Sequence, residues 1–115
     1  MATFCFDLDD TICFPNHQFC DSETKYAKAL PNKDVISFVR QAHQKGHEIL
    51  IFTARRMLTH NGDIDQIKFD IGDITENWLK KYSVPYNKLI FGKPYADYYI
   101  DDKAVQLEHL KLIKL

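Results

Sequence analysis

Acidic residues interrupt an apolar run near the start of the sequence. The stretch FCFDLDDTICF, residues 4–14, places Asp7, Asp9 and Asp10 where a buried strand would continue with apolar side chains. Side chains two apart on a strand point to the same face, so Asp7 and Asp9 can converge if the strand persists that far. Two carboxylates that close together require a cation or a shared proton. The spacing therefore predicts a site for a metal ion or for proton transfer.

A second acidic pair, Asp101 and Asp102, ends another apolar run, DYYID. Several carboxylate oxygens without His or Cys suit a hard octahedral cation, so we expect the acids of both pairs to bind Mg²⁺. For any one of these acids the alternative is a local role as the cap of the turn or helix that follows. For Asp10 we prefer that local role.

Two other polar residues follow apolar runs, Thr53 in HEILIFTAR and Lys93 in KLIFGK. A carboxylate near Mg²⁺ can attack phosphorus, and a second carboxylate can then serve as acid and base. Lys93 would add a positive charge for phosphoryl oxygens, and the Thr53 hydroxyl with nearby backbone N–H groups would donate hydrogen bonds. Taken singly, a surface lysine and a locally bonded threonine are the simpler interpretations. Together these residues predict a phosphoryl-transfer site.

The residues around these positions suggest substrate contacts. Ala54, Arg55 and Arg56 follow Thr53, and guanidinium groups suit phosphate or carboxylate, although an exposed basic turn is an equal alternative. His60 and Asn61 belong to the same loop, whereas His17 is expected at the surface. The aromatic cluster Tyr95, Tyr98 and Tyr99 fits packing around the sheet edge better than a platform for a sugar.

Apolar patterns predict the elements that position these residues. We expect strands at residues 3–8, buried on both faces, at 49–52, and at KLIFG and DYYID. We expect helices from Asn32 to Gly46, from Ile64 to Val84 along a stripe of core residues, and at 104–110. Strands that alternate with helices imply a three-layer α/β fold with a mostly parallel sheet, whose carboxyl edge is the usual place for ligands.

Length and composition restrict the class of protein. The 115 residues predict one domain, and 45% hydrophobic with 27% charged residues is typical of a soluble globular protein. A net charge of -1 without a basic stripe disfavours nucleic acid as a partner. No apolar run is long enough for a membrane span, and there is no signal-peptide pattern, so we expect a cytoplasmic protein. Three cysteines without CxxC spacing are expected to be reduced.

The order of these motifs resembles the haloacid dehalogenase superfamily. Its four motifs are similar to FDLDDTI, the Thr of IFTAR, the Lys of GKP, and YIDD, and the resemblance spans residues 4 to about 104. It implies a Rossmann-like core in which Asp7 is the nucleophile, Asp9 the general acid and base, and Thr53 and Lys93 bind the phosphoryl group. True dehalogenases lack the second acid, so Asp9 favours phosphate chemistry.

The same resemblance implies the metal ligands. Asp101 would bind Mg²⁺ beside Asp7 and the main-chain carbonyl of Asp9, and Asp102 would assist directly or through water. Residues 12–31 would form a small flap, and no gap in the motifs is long enough for a cap domain. An uncapped site could accept a large substrate or borrow a wall from another subunit, so a homo-oligomer is a hypothesis.

Longer stretches narrow the resemblance. IFTARRMLTHNGD, DIGDIT and PYNKLIFGKPYADYYIDDKA look like small phosphatases encoded with capsule or surface-polysaccharide genes. The implied function is a Mg²⁺-dependent phosphomonoesterase acting on a sugar phosphate or another small phosphorylated building block of such a polysaccharide. Two alternatives stay open: a non-catalytic phosphate-binding partner of a biosynthetic enzyme, and a nucleotide or polynucleotide-end phosphatase.

Overall fold

The computed structural model describes all 115 residues and has an α/β architecture around a small parallel sheet, which confirms the predicted fold class. Its strands are β1 Thr3–Phe6, β2 Cys13–Phe14, β3 Leu30–Pro31, β4 Glu48–Thr53 and β5 Lys88–Phe91. Its α-helices are α1 Ser22–Ala27, α2 Lys33–Gln44, α3 Ile64–Ile67 and α4 Asp73–Lys81. A π-helical turn, Lys68–Gly72, joins α3 to α4, and a 3-10 helix covers Leu107–Leu112.

The parallel sheet has three strands in the order β1, β4, β5. Cys5 pairs with Leu50, and Thr53 at the end of β4 pairs with Phe91 at the end of β5. Alternate residues of β4 are buried, because its β-branched side chains pack into the core on one face. Parallel pairing puts the carboxyl ends of all three strands at one edge of the sheet.

Helix α2 forms where its apolar spacing predicts. Asn32 caps its first turn by accepting a hydrogen bond from the Val35 N–H, and the Asn32 amide donates to the Thr11 carbonyl at 3.0 Å. One face is buried against the sheet and comprises Val35, Ile36, Val39 and Ala42. Each such apolar side chain contributes roughly 1–3 kcal/mol by leaving water. The helix ends before Gly46, whose φ of 87° only glycine adopts readily.

Helices α3 and α4 form one continuous helical segment, residues 64–81, as the stripe of apolar residues predicts. Ile67, Ile71 and Trp78 are buried, which confirms that the stripe packs in the core. Gly72 lies in the π-helical turn and is itself buried. The Trp78 indole donates a hydrogen bond to the Ala29 carbonyl at 2.9 Å and so joins this segment to residues near the start of the chain.

The segment predicted as a flap forms a two-stranded antiparallel ribbon with a short helix. Strands β2 and β3 pair through Cys13 with Pro31 and Phe14 with Leu30, and α1 lies between them in sequence. Cys13 and Ala29 are buried in the main core. The flap therefore packs on the sheet domain, and no inserted cap domain is present.

The prediction that β1 is buried on both faces is wrong. Strand β1 lies at an edge of the sheet, where Thr3 and Cys5 are exposed and Phe6 is buried. It also ends at Phe6, two residues earlier than predicted. Phe4 and Phe6 pack against Phe38 of α2 on one face of β1, whereas the other face, with Thr3 and Cys5, is exposed.

The predicted strand DYYID is also absent. Tyr98 and Ile100 are almost fully exposed, and the segment has no partner strand. Local hydrogen bonds replace sheet pairing: the Tyr99 hydroxyl donates to the Pro94 carbonyl, and the Asp101 carboxylate accepts from the Lys103 N–H. These turns bend the chain away from the extended form that a strand requires.

The predicted last helix begins later and is tighter than expected. It covers Leu107–Leu112 as a 3-10 helix, and Leu110 and Leu115 pack against the core. None of the helices combines the length and apolar character needed to cross a bilayer.

Gly92 gives the first testable prediction because its φ is positive and a side chain there would displace Ile64. Its φ is 104°, and an added Cβ would lie 2.6 Å from Ile64 Cδ1. We expect Gly92→Ala to lower the free energy of unfolding by about 1–3 kcal/mol, measured by denaturant melts. Gly46→Ala is the matched control, since its φ is 87° but no atom lies within 4 Å of an added Cβ. Equal losses in the two variants would show that Ile64 moves aside without cost.

Candidate active site

A cleft of about 430 Å³ opens at the carboxyl edge of the sheet. Asp7 follows β1, residues 54–59 follow β4, and Lys93 follows β5, so three chain segments meet here because the strands are parallel. The flap supplies the facing wall. The lining residues are Asp7, Asp9, Asp10, Pro15, His17, Lys25, Tyr26, Ala54, Arg55, Arg56, Met57, Leu58, Thr59, Lys93, Tyr95, Ala96 and Tyr99.

Asp7 and Lys93 form an ion pair within this cleft. Lys93 Nζ lies 3.4 Å from Asp7 Oδ1 and 4.2 Å from the centre of the Tyr99 ring. The Thr53 carbonyl accepts hydrogen bonds from the Gly92 and Lys93 N–H groups. These bonds fix the backbone position from which the Lys93 side chain extends. The Asp7 side chain stays 38% exposed. It therefore offers an accessible carboxylate beside a fixed cation.

Asp9 is held differently, by a buried arginine. The Arg55 side chain has no solvent exposure; its Nε lies 3.0 Å from Asp9 Oδ2 and its Nη2 lies 2.8 Å from Asp9 Oδ1. This bidentate geometry fixes the plane of the Asp9 carboxylate. Burial alone would lower the pKa of Arg55, but the hydrogen bond and charge of Asp9 outweigh it and raise that pKa above its ordinary value.

Further groups surround the Arg55 guanidinium. Its Nη1 donates to Thr75 Oγ1 at 2.9 Å, and Thr75 in turn donates to the Ile71 carbonyl at 2.8 Å. The Tyr26 ring lies 4.3 Å from the guanidinium carbon, an arrangement that favours a cation. Burial, with the nearby Asp9 charge, raises the pKa of Tyr26. The arginine therefore joins α4, the flap and the loop after β1.

Sequence reasoning missed Tyr26 and Thr75. Thr75 follows Ile71 by four residues, so it is a polar residue on an otherwise apolar helical stripe. That interruption is the available signal, because a buried hydroxyl needs a partner. Lys25, Tyr26 and His17 line the cleft only because the flap packs there, and no local pattern marks them.

Arg56 points away from its neighbour and pairs with a different acid. Its Nε and the His60 Nε2 each lie 2.7 Å from Asp70 Oδ2. The hydrogen bond from His60, followed by that from Arg56, lowers the pKa of Asp70. Ala54, Arg55 and Arg56 all line the cleft, but the guanidinium of Arg55 is buried and paired with Asp9. The alternative of an exposed basic turn is therefore wrong, because each arginine forms an ion pair with an acid of the protein.

Two of the predicted residues have local roles in this arrangement. Thr53 is buried, and its Oγ1 accepts a hydrogen bond from the Arg55 N–H at 3.1 Å. Asp10 lies in a turn with φ of 63°, where its N–H donates to the Cys13 carbonyl at 2.7 Å. Asp10 lies in the turn that the local interpretation expects, but only its backbone bonds there, and its carboxylate has no capping hydrogen bond and lines the cleft. Thr53 is outside the lining of the cleft.

Asp101 and Asp102 lie outside the cleft because the predicted fourth strand does not form. Both are exposed, and the hydrogen bond from the Lys103 N–H lowers the pKa of Asp101. No three acidic, His or Cys side chains converge as a metal cage. Mg²⁺ commonly takes one or two carboxylates and completes its shell with water and substrate phosphate, and the exposed Asp7 carboxylate fits that smaller requirement.

The tyrosines near the end of the chain do not pack around the sheet edge, so that expectation is wrong. Tyr95, Tyr98 and Tyr99 are all exposed, and Tyr95 and Tyr99 line the cleft. Their rings hence form an open aromatic side of the cleft beside Lys93.

The comparison with solved structures identifies a close relative. A crystal structure of a structural-genomics target from Vibrio cholerae is 36% identical, with a TM-score of 0.85 over 100% of this chain and 91% of that one. The chain belongs to the same family as this Vibrio protein. No protein-family model matches the chain, and a search of curated proteins also finds no match.

More distant members of this fold occur within larger proteins. Chains from two structures of the Pnkp1/Rnl/Hen1 complex, one described as an RNA repair complex, have TM-scores of 0.59 and 0.60 at 23% and 22% identity. These similarities cover 85% and 96% of this chain but only 27% and 33% of those chains. At such identities the similarity shows a shared fold.

Removal of Arg55 should destabilise the protein. We expect Arg55→Met to lower the free energy of unfolding by about 3 kcal/mol, because it leaves Asp9 and Thr75 without their buried partner. Arg56→Met is the matched control and should cost about 1 kcal/mol or less, since its pair with Asp70 is partly solvated. Urea denaturation of the two variants measures the difference. Similar losses would mean that the buried pair adds little to stability.

The cysteines should differ in reactivity. Burial first, and then the Asp9 charge, raises the pKa of Cys13 to about 12, so this thiol stays protonated at pH 8. Partial burial raises the pKa of Cys5 less, and Cys20 is exposed. With a thiol reagent such as DTNB at pH 8, we expect Cys20 to react first, Cys5 next, and Cys13 only after unfolding. Rapid labelling of Cys13 in the native protein would contradict its buried placement.

Proposed function

We propose that the protein is a Mg²⁺-dependent phosphomonoesterase of the haloacid dehalogenase superfamily that acts on a sugar phosphate or another small phosphorylated building block of a surface polysaccharide. The observation that carries the proposal is the exposed Asp7 carboxylate beside Lys93, within one cleft at the carboxyl edge of a parallel sheet. The order of the four sequence motifs and the α/β fold agree with it.

Asp7 is the proposed nucleophile. One of its oxygens attacks phosphorus and forms an acyl phosphate, while the bond from phosphorus to the ester oxygen breaks. Lys93 lies close enough to Asp7 to offset charge on the phosphoryl oxygens. The exposed side of the Asp7 carboxylate leaves room for a phosphate group to approach.

Asp9 is the proposed acid and base. In this role Asp9 enters the reaction protonated on one oxygen, which has to give up its contact with Arg55 to deliver that proton to the leaving ester oxygen. The Asp9 carboxylate then takes a proton from the water that attacks the acyl phosphate, which releases inorganic phosphate and restores Asp7. Arg55 would be a positioning residue for this step, because its bidentate contact orients the Asp9 side chain.

The metal ion would be held by Asp7; Asp101, which the superfamily resemblance adds as a ligand, lies outside the cleft and is not part of this set. When bound, Mg²⁺ supplies positive charge that offsets the charge of the phosphoryl group and of the attacking carboxylate. The remaining ligands would be water and the substrate phosphate, as is common for this ion.

The lining of the cleft supports a small substrate. Acidic and basic residues occur there in nearly equal numbers, which differs from the basic groove that a polynucleotide requires. Tyr95 and Tyr99 provide an open aromatic side on which a sugar ring could pack. The alternative of a non-catalytic phosphate-binding partner predicts binding without turnover.

Phosphate release from a panel of substrates tests the proposal. The panel contains sugar phosphates, glycerol phosphates, amino-alcohol phosphates, nucleotides and a 3′-phosphorylated oligonucleotide, each with Mg²⁺ and with chelator. We expect Mg²⁺-dependent release from one class of small phosphate ester. Release from the oligonucleotide alone would replace the proposal by an end-processing phosphatase, and binding without release would favour the non-catalytic alternative.

Asp7→Asn should abolish this turnover. We expect a loss of about a thousandfold or more, because an amide is a poor nucleophile toward phosphorus. Stability should change little, since Asp7 is partly exposed and has a single ion-pair partner at 3.4 Å. Asp10→Asn is the matched control, because Asn tolerates the positive φ of that turn and the substitution removes the same charge nearby. Turnover at the wild-type rate in the Asp7 variant would refute the mechanism.

A further inference from the structure

Arg56 is held in the wall of the cleft by a contact that leaves part of its guanidinium free. Its backbone has φ of 61°, a conformation that a non-glycine residue adopts only at a cost. The side chain is 24% exposed, and its Nε donates to Asp70 Oδ2 at 2.7 Å. Only Nε is used in this contact, so the two Nη groups have no hydrogen-bond partner within the protein.

Asp70 lies behind Arg56 and outside the lining of the cleft. It belongs to the π-helical turn, a widened helical turn that frequently occurs at functional sites. His60 binds the same carboxylate oxygen as Arg56, at 2.7 Å, which adds a second anchor to Asp70. His60, from the loop after β4, and Asp70, from the helical segment, thus together hold the Arg56 guanidinium at the cleft.

The charges in the cleft show what Arg56 could recognise. Lys93 is paired with Asp7, and Arg55 is occupied by Asp9. Lys25 on the flap has a contact with the Tyr26 ring at 5.0 Å but no ion-pair partner within the protein, and the acid Asp10 in the same lining is likewise unpaired. A substrate with one phosphate, bound at Asp7 and Lys93, would leave the Nη groups of Arg56 and the Lys25 charge without an anionic partner.

We propose that Arg56 binds a second anionic group of the substrate, a carboxylate or a second phosphate, and that Asp70 is its positioning residue. This inference rests on the proposed phosphatase function, in which Asp7 and Lys93 receive the phosphate that is cleaved. It defines the substrate class as a phosphate ester that carries another negative charge within reach of the cleft wall. A planar guanidinium suits both kinds of anion.

Matched substrates test the inference and distinguish the two anions. For a carboxylate, 3-phosphoglycerate is compared with glycerol 3-phosphate; for a second phosphate, glucose 1,6-bisphosphate is compared with glucose 6-phosphate. The measured quantity is the ratio of kcat/KM for the substrate with the second anionic group to that for its simpler counterpart. We expect a ratio of about ten or more in at least one pair, and the pair with the larger ratio identifies the anion.

Variants then assign the ratio to particular residues. Arg56→Met should reduce it about tenfold, mainly through a higher KM for the substrate with the extra anion, and Arg56→Lys should keep part of it. Asp70→Asn should reduce the ratio by a smaller factor, because the guanidinium is still present but less well oriented. Lys88→Met is the control: it removes one positive charge from an exposed residue at the opposite end of β5 and should leave the ratio unchanged.

Two results would overturn the inference: ratios near one in both wild-type pairs, or a ratio that Arg56→Met does not change. An unchanged ratio in Asp70→Asn would overturn the positioning role alone. If no substrate is hydrolysed, calorimetric binding of the same pairs with Mg²⁺ takes the place of kinetics. Preferential binding of the anionic member that is lost in Arg56→Met would support the subsite while refuting the phosphatase function, and equal binding would refute both.

Discussion

The buried ion pair between Arg55 and Asp9 is the interaction on which the site depends. A guanidinium without solvent exposure is tolerated only when its charge is compensated and its N–H groups are hydrogen-bonded. Asp9 supplies the charge, Thr75 accepts a further hydrogen bond, and the Tyr26 ring covers one face. These partners come from the loop after β1, from α4 and from the flap. The arginine can therefore be buried only when all three are in place.

The Arg55–Asp9 pair also gives different surroundings to Asp7 and Asp9, two acids of the same sequence motif. Asp7 and Asp9 would share a face if β1 continued, but the strand ends at Phe6 and a tight turn follows. In that turn the Leu8 carbonyl accepts hydrogen bonds from the N–H groups of residues 11–13. Asp9 is thereby turned toward Arg55, while Asp7 remains accessible beside Lys93. One carboxylate is fixed in a buried ion pair and the other is open to the cleft.

Local patterns predicted the elements that bury one regular face, and failed where structure depends on distant partners. Helix α2, strand β4 and the helical segment 64–81 follow from the spacing of apolar residues, since that spacing decides which side chains leave water. DYYID has the composition of a strand, but a strand also needs a neighbour with free backbone groups, which no local pattern reveals. The burial of Arg55 could not be predicted for the same reason, because its partners Asp9 and Thr75 are distant in the sequence. Only Thr75, polar within an apolar stripe, signalled a buried partner.

The attachment of the flap has a consequence for how selectivity can arise. The Trp78 indole binds the Ala29 carbonyl near one end of the flap, and the Asn32 amide binds the Thr11 carbonyl near the other. Cys13 and Ala29 are buried in the main core, so opening the flap would expose apolar surface and break both contacts. A wall anchored in this way presents Lys25 and Tyr26 to the cleft already in position, and the cost of ordering a lid does not arise. We therefore expect discrimination between substrates to depend on fixed charges and rings around the cleft rather than on closure over the substrate.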